Sequence, residues 1–221
     1  MTGKSFTLRD MEAAEPSAEQ TVMVRQSYQA GTTVIEAIVV IDMCNSTEIV
    51  TRYGNEFSFG LLKTLAQMVS ASAQKAGCCF QKGTGDGFLL TFPATSNAVG
   101  FAREVLDRIK ASNAIVEPTK KIDLRISVHF GECKLDPAGD RLGLAVNTAF
   151  RVEGLKSEGL IPLEGSMKKE EMPLKNRIFL TETVATELQD MAGIELRLVG
   201  LFELKGITGL HRIFMLTSKE Q

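Results

Sequence analysis

Residues 78–92 read CCFQKGTGDGFLLTF, two apolar runs separated by a polar turn that contains three glycines. Apolar runs on either side of a glycine-rich turn predict a buried β-hairpin. Glycine alone would suffice for a turn, yet this one also carries a lysine and an aspartate, Lys82 and Asp86. The stretch therefore predicts a hairpin whose tip is also a candidate site.

The segments around this hairpin predict alternating strands and helices. The β-branched run TTVIEAIVVIDM, residues 32–43, reads as a strand, and residues 46–77 carry apolar residues at helical spacing with a break near Gly54. Further strands are predicted at 121–133, 176–182, 195–204 and 211–217, and further helices at 95–114, 143–156 and 183–191. The order β-αα-β-β-α-β-α-β-α-β-β predicts an α+β fold with helices packed on a mostly antiparallel sheet.

Length and composition limit the classes of protein. A chain of 221 residues with 44% hydrophobic residues can bury one substantial core, and no second domain is required. A net charge of −2 argues against a general nucleic-acid surface. Because no apolar run has membrane length and the N-terminus has no secretory h-region, we expect a cytoplasmic protein without a membrane partner. Residues 1–33 are expected to form an N-terminal extension.

Several reactive residue types are expected to have structural roles. The cysteines Cys44, Cys78, Cys79 and Cys133 show no C-x-x-C spacing, so we expect reduced core thiols. His129 lies inside an apolar strand and is expected to be a hydrogen-bonded core residue rather than a general base.

Two aspartates are candidates for binding a metal. Asp42 ends the first predicted strand and Asp86 lies at the hairpin tip, so their carboxylates converge if the strands are neighbours. Such hard oxygen ligands suit Mg²⁺ and Mn²⁺, and the glycines beside Asp86 would let a phosphate approach closely. From these residues alone a second interpretation stays open, in which Asp42 caps the next helix and GTGDG is only a turn.

Five segments together resemble the catalytic domain of class III nucleotidyl cyclases over residues 36–216. They are VVIDMCNST (39–47), which is similar to the family's first metal segment; KGTGDGF (82–88), similar to its K-x-x-G-D hairpin; LRISVHFGE (124–132), with Ser127 where the family usually has glycine; DRLGLAVNTAFR (140–151); and the closing hairpin FELKGITGLHRIF (202–214). The resemblance implies the ferredoxin-like βαββαβ-type core of these cyclases. It places the catalytic domain at 34–219, with an insertion at about 157–176.

The resemblance also implies residue roles. Asp42, Asp86 and the backbone carbonyl of Met43 would bind two Mg²⁺ or Mn²⁺ ions per site. The expected substrate residues are Lys82 and Asp140 at the adenine edge, Arg125 and Lys205 at the β- and γ-phosphates, and the catalytic pair Asn147 and Arg151 at the ribose and the transition state. The family builds each site across a two-fold dimer, so a homodimer is implied.

The residues themselves support some of these roles more than others. Asn147 and Arg151 are four residues apart and share one helical face, while Ala145, Ala149 and Val152 can pack on the sheet. A lysine that donates and an aspartate that accepts match the edge of adenine, which favours ATP over GTP. Arg125 and Lys205 each have a structural alternative, since an arginine in a strand could pair with a neighbouring carboxylate and a lysine could be an exposed residue of a hairpin.

The predicted activity is conversion of ATP to 3′,5′-cyclic AMP and pyrophosphate. Three alternatives stay open: a guanylate cyclase, a pyrimidine cyclase that forms cyclic CMP or cyclic UMP in phage defence, and a nucleotide-binding regulatory module without catalysis. For the insertion, the run of charges at 168–171 favours a solvated loop, with a flap or a partner-binding arm as the alternative.

Overall fold

The structure, a computed structural model, describes residues 29–217. Most of the predicted N-terminal extension, residues 1–28, lies outside the described residues. Strand β1 begins at Thr33, the last residue of the predicted extension. The strands are β1 (Thr33–Met43), β2 (Phe80–Gly83), β3 (Gly87–Phe92), β4 (Leu124–Leu135), β5 (Arg141–Leu142), β6 (Arg177–Thr181), β7 (Glu195–Leu204) and β8 (Ile207–Thr217). The α-helices are α1 (Ser46–Tyr53), α2 (Asn55–Lys75), α3 (Thr95–Ile115), α4 (Leu144–Glu153) and α5 (Glu182–Leu188).

The strands form one eight-stranded sheet in the order β2-β3-β1-β4-β6-β8-β7, with the short β5 paired to β4. Strands β4 and β6 run parallel, and all other neighbours are antiparallel. The predicted α+β fold with a mostly antiparallel sheet is confirmed. The two-residue strand β5 is an element that the sequence analysis did not predict.

Both faces of the central strand β1 are buried, which explains its continuous apolar sequence. Its alternate residues Val39 and Ile41 enter the larger core with α2 and α3, while Ile38 and Val40 pack on α4. Because side chains alternate along a strand, Asp42 falls on the same face as Val40. The first metal candidate therefore lies on the side of the sheet that carries α4.

The insertion at 157–176 is not the solvated loop that its charges predicted. Its exposed run 168–171 agrees with the prediction, but its apolar residues Leu160, Met167 and Met172 are buried in a second core beneath β6 and β7. The insertion also pairs with the edge strand β7, because Ile161 and Leu201 bond to each other's backbone, each at 2.9 Å. It shields a sheet edge that would otherwise expose unpaired backbone groups.

Candidate active site

The two candidate metal ligands are neighbours at the end of β1. Asp42 lies opposite Gly87 in the β1–β3 ladder, and the amide of Met43 donates to the carbonyl of Asp86 over 3.2 Å. Burial raises the pKa of Asp42, and the negative charge of Asp86 raises it further, whereas Arg125 acts in the opposite direction. The carboxylates are thus close enough to repel each other.

Two of the three hairpin glycines are required by backbone geometry. Gly85 has a φ of +96°, a conformation that residues with a Cβ rarely adopt. A Cβ atom on Gly87 would lie 2.0 Å from the carbonyl oxygen of Ile41, so no other residue fits there without moving the strand. Gly83 has neither constraint, since a Cβ atom there would meet nothing within 4 Å.

Ser46 is a residue that the sequence analysis did not assign to the site. Its hydroxyl, at the first position of α1, donates a hydrogen bond to Oδ2 of Asp86. Asn45 precedes it with a φ of +59°, so a left-handed residue turns the chain from β1 into α1. The only sequence signal was the polar turn CNST, which does not show which side chain faces Asp86.

The donor set fits Mg²⁺ or Mn²⁺ with substrate oxygens completing the coordination. Within residues 29–217 no group of three or more His, Cys, Asp or Glu side chains could hold a metal alone. Mg²⁺ in nucleotide sites is commonly bound by one or two carboxylates together with substrate phosphates and water. Asp42 and Asp86 provide such carboxylates, and the role of the Met43 carbonyl stays a prediction.

Arg125 joins the carboxylate of Asp42 to α4. It lies opposite Asp42 in the β1–β4 ladder; its Nη2 donates to Asp42 Oδ2 over 2.6 Å and its Nε donates to Glu153 Oε1 over 2.6 Å. Burial raises the pKa of Glu153, and the hydrogen bond from Arg125 opposes this rise. The sequence analysis allowed that Arg125 pairs with a carboxylate, but it did not identify Glu153.

The predicted base-reading residues meet each other. Lys82 at the start of the hairpin turn forms an ion pair with Asp140, just before β5. The amide of Asp140 donates to Asp136 Oδ1 over 2.8 Å, and the adjacent Arg141 forms a buried ion pair with Glu36. These contacts fix the loop that presents Asp140 beside the hairpin.

Helix α4 presents Asn147 and Arg151 to solvent, as its sequence predicted. Ala145, Ala149 and Val152 are buried against the sheet, so the polar pair lies on the opposite side. Ser127, at the position where the family usually has glycine, is fully buried, and its hydroxyl donates to the carbonyl of Ala149 over 2.7 Å. This hydrogen bond attaches the middle of α4 to β4.

The remaining substrate candidate, Lys205, lies apart from these contacts. It occupies the turn between β7 and β8 and is exposed. Among residues 29–217 it forms no hydrogen bond or ion pair with the other candidate site residues. Its assignment to the phosphates therefore rests on the resemblance.

The surroundings of His129 and of the four cysteines are those of structural residues rather than of catalytic groups. The Nδ1 atom of His129 lies 2.9 Å from Oγ1 of Thr181, and burial, with a smaller contribution from His211, lowers the pKa of His129 to about 4. Burial raises the pKa of the Cys44 thiol to about 11, and the same holds for Cys78 and Cys133. All four cysteines are free thiols, and in this protonated form they are poor nucleophiles.

Comparison with known proteins identifies the fold. No family model matches the chain. The structure superposes on an adenylate/guanylate cyclase/hydrolase from Silicibacter pomeroyi with a TM-score of 0.69 and 23% identity, covering 86% of this chain and 99% of that one. It also superposes on the adenylyl cyclase CyaB from P. aeruginosa, with a TM-score of 0.65 and 19% identity, covering 86% of this chain and 98% of that one.

The chain has the fold of a class III cyclase catalytic domain. A GTP complex of the guanylate cyclase domain of RhGC from Catenaria anguillulae is similar too, with a TM-score of 0.65, 19% identity, and coverage of 86% of this chain and 100% of that one. In sequence, "Putative adenylate cyclase 3" from Rhizobium meliloti (strain 1021) is 35% identical over 78 residues, 35% of this chain. The matched segment spans 13% of that relative's length.

Among the described residues, no helix combines the length and apolarity that crossing a membrane requires.

Proposed function

We propose that this cyclase fold is an active nucleotidyl cyclase that converts ATP to 3′,5′-cyclic AMP and pyrophosphate. The observation that carries the proposal is the meeting of Asp42 and Asp86 at one end of β1, where Arg125 donates a hydrogen bond to Asp42. Structural neighbours that are adenylate and guanylate cyclases support the same reaction class. The residues expected at the metals, the base and the transition state are all present in this chain.

In the proposed reaction the ribose 3′-hydroxyl gives its proton to solvent water and its oxygen attacks the α-phosphorus in line. The bond from the α-phosphorus to the bridging oxygen breaks, and pyrophosphate leaves with that oxygen. Divalent cations, when bound, lower the pKa of the 3′-hydroxyl and offset charge on the leaving pyrophosphate. The protein supplies positioning and charge. Arg125 and Lys205 would hold the β- and γ-phosphates, Asn147 would orient the ribose, and Arg151 would stabilise charge in the transition state.

The ion pair of Lys82 and Asp140 supports adenine as the preferred base. Lys82 can donate to the ring nitrogen N1 of adenine, and Asp140 can accept from its 6-amino group. Guanine presents the opposite pattern, with a donor at N1 and an acceptor at O6. A polar group that the substrate covers and that the wrong base leaves unpaired costs free energy, so this pair would discriminate against GTP.

A homodimer with two shared sites is part of the proposal. Asn147 and Arg151 lie on an exposed helical face together with Leu144 and Phe150, whose exposed fractions are 60% and 36%. Large apolar side chains beside polar site residues are typical of a surface that a partner covers. The metal ligands of one protomer would then face the α4 residues of the other, and the two-fold axis would generate two equivalent sites.

The experiment that tests the proposal is incubation of the purified protein with Mn²⁺ and each of the four ribonucleoside triphosphates, with products identified by mass. We expect cyclic AMP and pyrophosphate from ATP. Cyclic GMP, or a cyclic pyrimidine nucleotide, as the main product would overturn the base assignment and keep the reaction class. No cyclic product from any nucleotide would overturn the enzyme assignment in favour of a regulatory module.

A further inference from the structure

The guanidinium of Arg125 has one edge committed to Glu153 and another directed at Asp42. Its Nε donates to Glu153 and its Nη2 to Asp42, each over 2.6 Å. Within residues 29–217 its third nitrogen, Nη1, donates no hydrogen bond. An arginine can bind a carboxylate through two parallel hydrogen bonds along either its Nε–Nη2 edge or its Nη1–Nη2 edge. Glu153 occupies Nε, so the first edge is not available to Asp42, and Asp42 accepts a hydrogen bond from Nη2 alone.

Glu153 is fixed in the position from which it accepts the Nε hydrogen bond of Arg125. It is the last residue of α4 and only 8% exposed, and its own backbone carbonyl accepts a hydrogen bond from Arg177 Nη2 over 3.1 Å. The same guanidinium donates to the carbonyls of Leu155, over 2.5 Å, and Pro173, over 2.8 Å. Arg125 and Arg177 lie opposite each other in the β4–β6 ladder. Arg177, which fixes the backbone of Glu153, therefore lies beside Arg125, which the side chain of Glu153 holds.

A buried carboxylate requires compensation, and Arg125 is the only cation bonded to the Glu153 side chain within the described residues. Without Glu153, Nε would also be free, and Arg125 could bind Asp42 through Nε and Nη2 together. A cation engaging Asp42 through two hydrogen bonds would compete with a divalent metal for the same carboxylate oxygens. Glu153 therefore has a second effect besides satisfying Arg125: it limits how strongly Arg125 can occupy Asp42.

We propose that Glu153 is a positioning residue. It keeps Nε of Arg125 from pairing with Asp42, and it presents the Nη1 group of Arg125 to the triphosphate chain of the substrate. The inference rests on the proposed function in requiring a metal-bound triphosphate next to Asp42 and Asp86. It assigns a role to a residue that does not itself touch substrate. Glu153 also ends the helix that carries Arg151, so the same contact relates the phosphate-binding arginine to the position of α4.

The test is binding of inorganic tripolyphosphate in the presence of Mn²⁺, measured by calorimetry, because this probe has no base and undergoes no cyclisation. Glu153→Gln keeps the side-chain shape but replaces a charged acceptor with a neutral one. We expect it to weaken tripolyphosphate binding about tenfold, the difference between a charge-assisted and a neutral hydrogen bond. In an Arg125→Ala background the same substitution should change binding less than twofold, since Glu153 acts through Arg125.

Mn²⁺ alone provides a second readout. Glu153→Gln should weaken Mn²⁺ binding several-fold, because Arg125 then competes for Asp42, and Arg125→Ala combined with Glu153→Gln should restore it. A purely structural role for Glu153 predicts no such restoration. The control is Glu182→Gln, which removes an exposed ion pair with Arg212 and should change neither ligand's binding. If Glu153→Gln does not fold, Glu153→Asp keeps the charge, shortens the reach and should show the same dependence on Arg125.

The outcomes separate this inference from the proposed function. Tripolyphosphate binding that Glu153→Gln leaves unchanged, or weakens equally with and without Arg125, overturns the positioning role alone. If the variants show the predicted coupling but the wild-type protein forms no cyclic nucleotide, the cyclase assignment alone is overturned. A folded wild-type protein that binds no tripolyphosphate with Mn²⁺ overturns both.

Discussion

The hydroxyl of Ser46 donates a hydrogen bond to the carboxylate of Asp86 from the first turn of α1. A hydrogen bond of this kind orients a metal-binding carboxylate and leaves its second oxygen for the ion. We expect Ser46→Ala to raise the Mn²⁺ concentration needed for half-maximal cyclase activity about tenfold, with little change in kcat at saturating metal. A metal titration of activity measures both quantities.

The matched control for Ser46 is Thr51→Ala. Thr51 lies on the same helix, and its hydroxyl bonds to the backbone carbonyl of Thr47 over 2.8 Å rather than to a site residue. Its loss should leave the metal titration unchanged. An equal shift in both variants would mean that α1 as a whole, and not the Ser46 hydroxyl, supports metal binding.

Shared sites predict complementation between two inactive variants. Asp42→Ala removes a metal ligand, and Arg151→Ala removes a transition-state group whose loss should lower kcat by about 10³-fold with little change in KM. In an equal mixture, half of the dimers are mixed and each has one intact site, so activity should return to about a quarter of wild type. Mixing Asp42→Ala with Asp86→Ala, both on the metal side, should restore nothing. Absence of activity in mixed dimers shown to form would contradict shared sites.

The ion pair of Lys82 and Asp140 predicts that base preference can be inverted by exchanging its charges. The double variant Lys82→Glu with Asp140→Lys keeps an ion pair but places an acceptor where adenine N1 needs a donor. We expect the ratio of kcat/KM for ATP over GTP to fall by at least about 30-fold, since each of the two unpaired polar contacts costs about 1–3 kcal/mol. Steady-state kinetics with both nucleotides provide the ratio. A uniform loss for both nucleotides would contradict base reading by this pair.

Local sequence patterns were sufficient for the elements that bring the carboxylates together. The β-branched run of β1 and the glycine turn at 82–87 are both local signals, and Asp42 and Asp86 stand at the strand ends that these signals define. The alanines of α4 likewise predicted which side of the helix packs on the sheet. The periodicity of one segment thus determines how its own polar residues are presented.

Contacts between segments that are distant in the sequence could not be predicted in the same way. Glu153 and Ser46 are ordinary residues of a helix end and a helix start, and their partners Arg125 and Asp86 are 28 and 40 positions away. The prediction of a solvated loop for the insertion was wrong for a related reason. Leu160, Met167 and Met172 have neither helical nor strand periodicity, so the neighbouring charges dominated the pattern.

The buried apolar residues of the insertion predict a stability effect. Met172 is 4% exposed in the second core, and Met172→Ala should lower the free energy of unfolding by about 2–4 kcal/mol through lost burial and a residual cavity. Leu174 in the same segment is 67% exposed, so Leu174→Ala should change it by less than about 0.5 kcal/mol. Urea denaturation of both variants tests this difference. Similar, small losses in both would favour the solvated loop.

The lowered pKa of His129 predicts how stability depends on pH. Its pKa is about 4 in the folded protein, against an ordinary value of 6.5, because burial and the nearby His211 disfavour the charged ring. The unfolded chain therefore binds this proton first as the pH falls. The stability associated with neutral His129 is complete above pH 6.5 and is lost progressively down to about pH 4.

Substituting His129→Gln should remove this dependence, since glutamine can still hydrogen-bond Thr181 but does not titrate. Between pH 7 and pH 4, wild type should lose up to about 3 kcal/mol more unfolding free energy than the variant. Urea denaturation of both proteins at several pH values measures the difference, and comparing the two cancels the contributions of Asp42 and Glu153. Their pKa values are raised, so these carboxylates act in the opposite direction. Parallel stability curves for the two proteins would show that His129 accepts a proton as readily in the folded protein as in the unfolded chain.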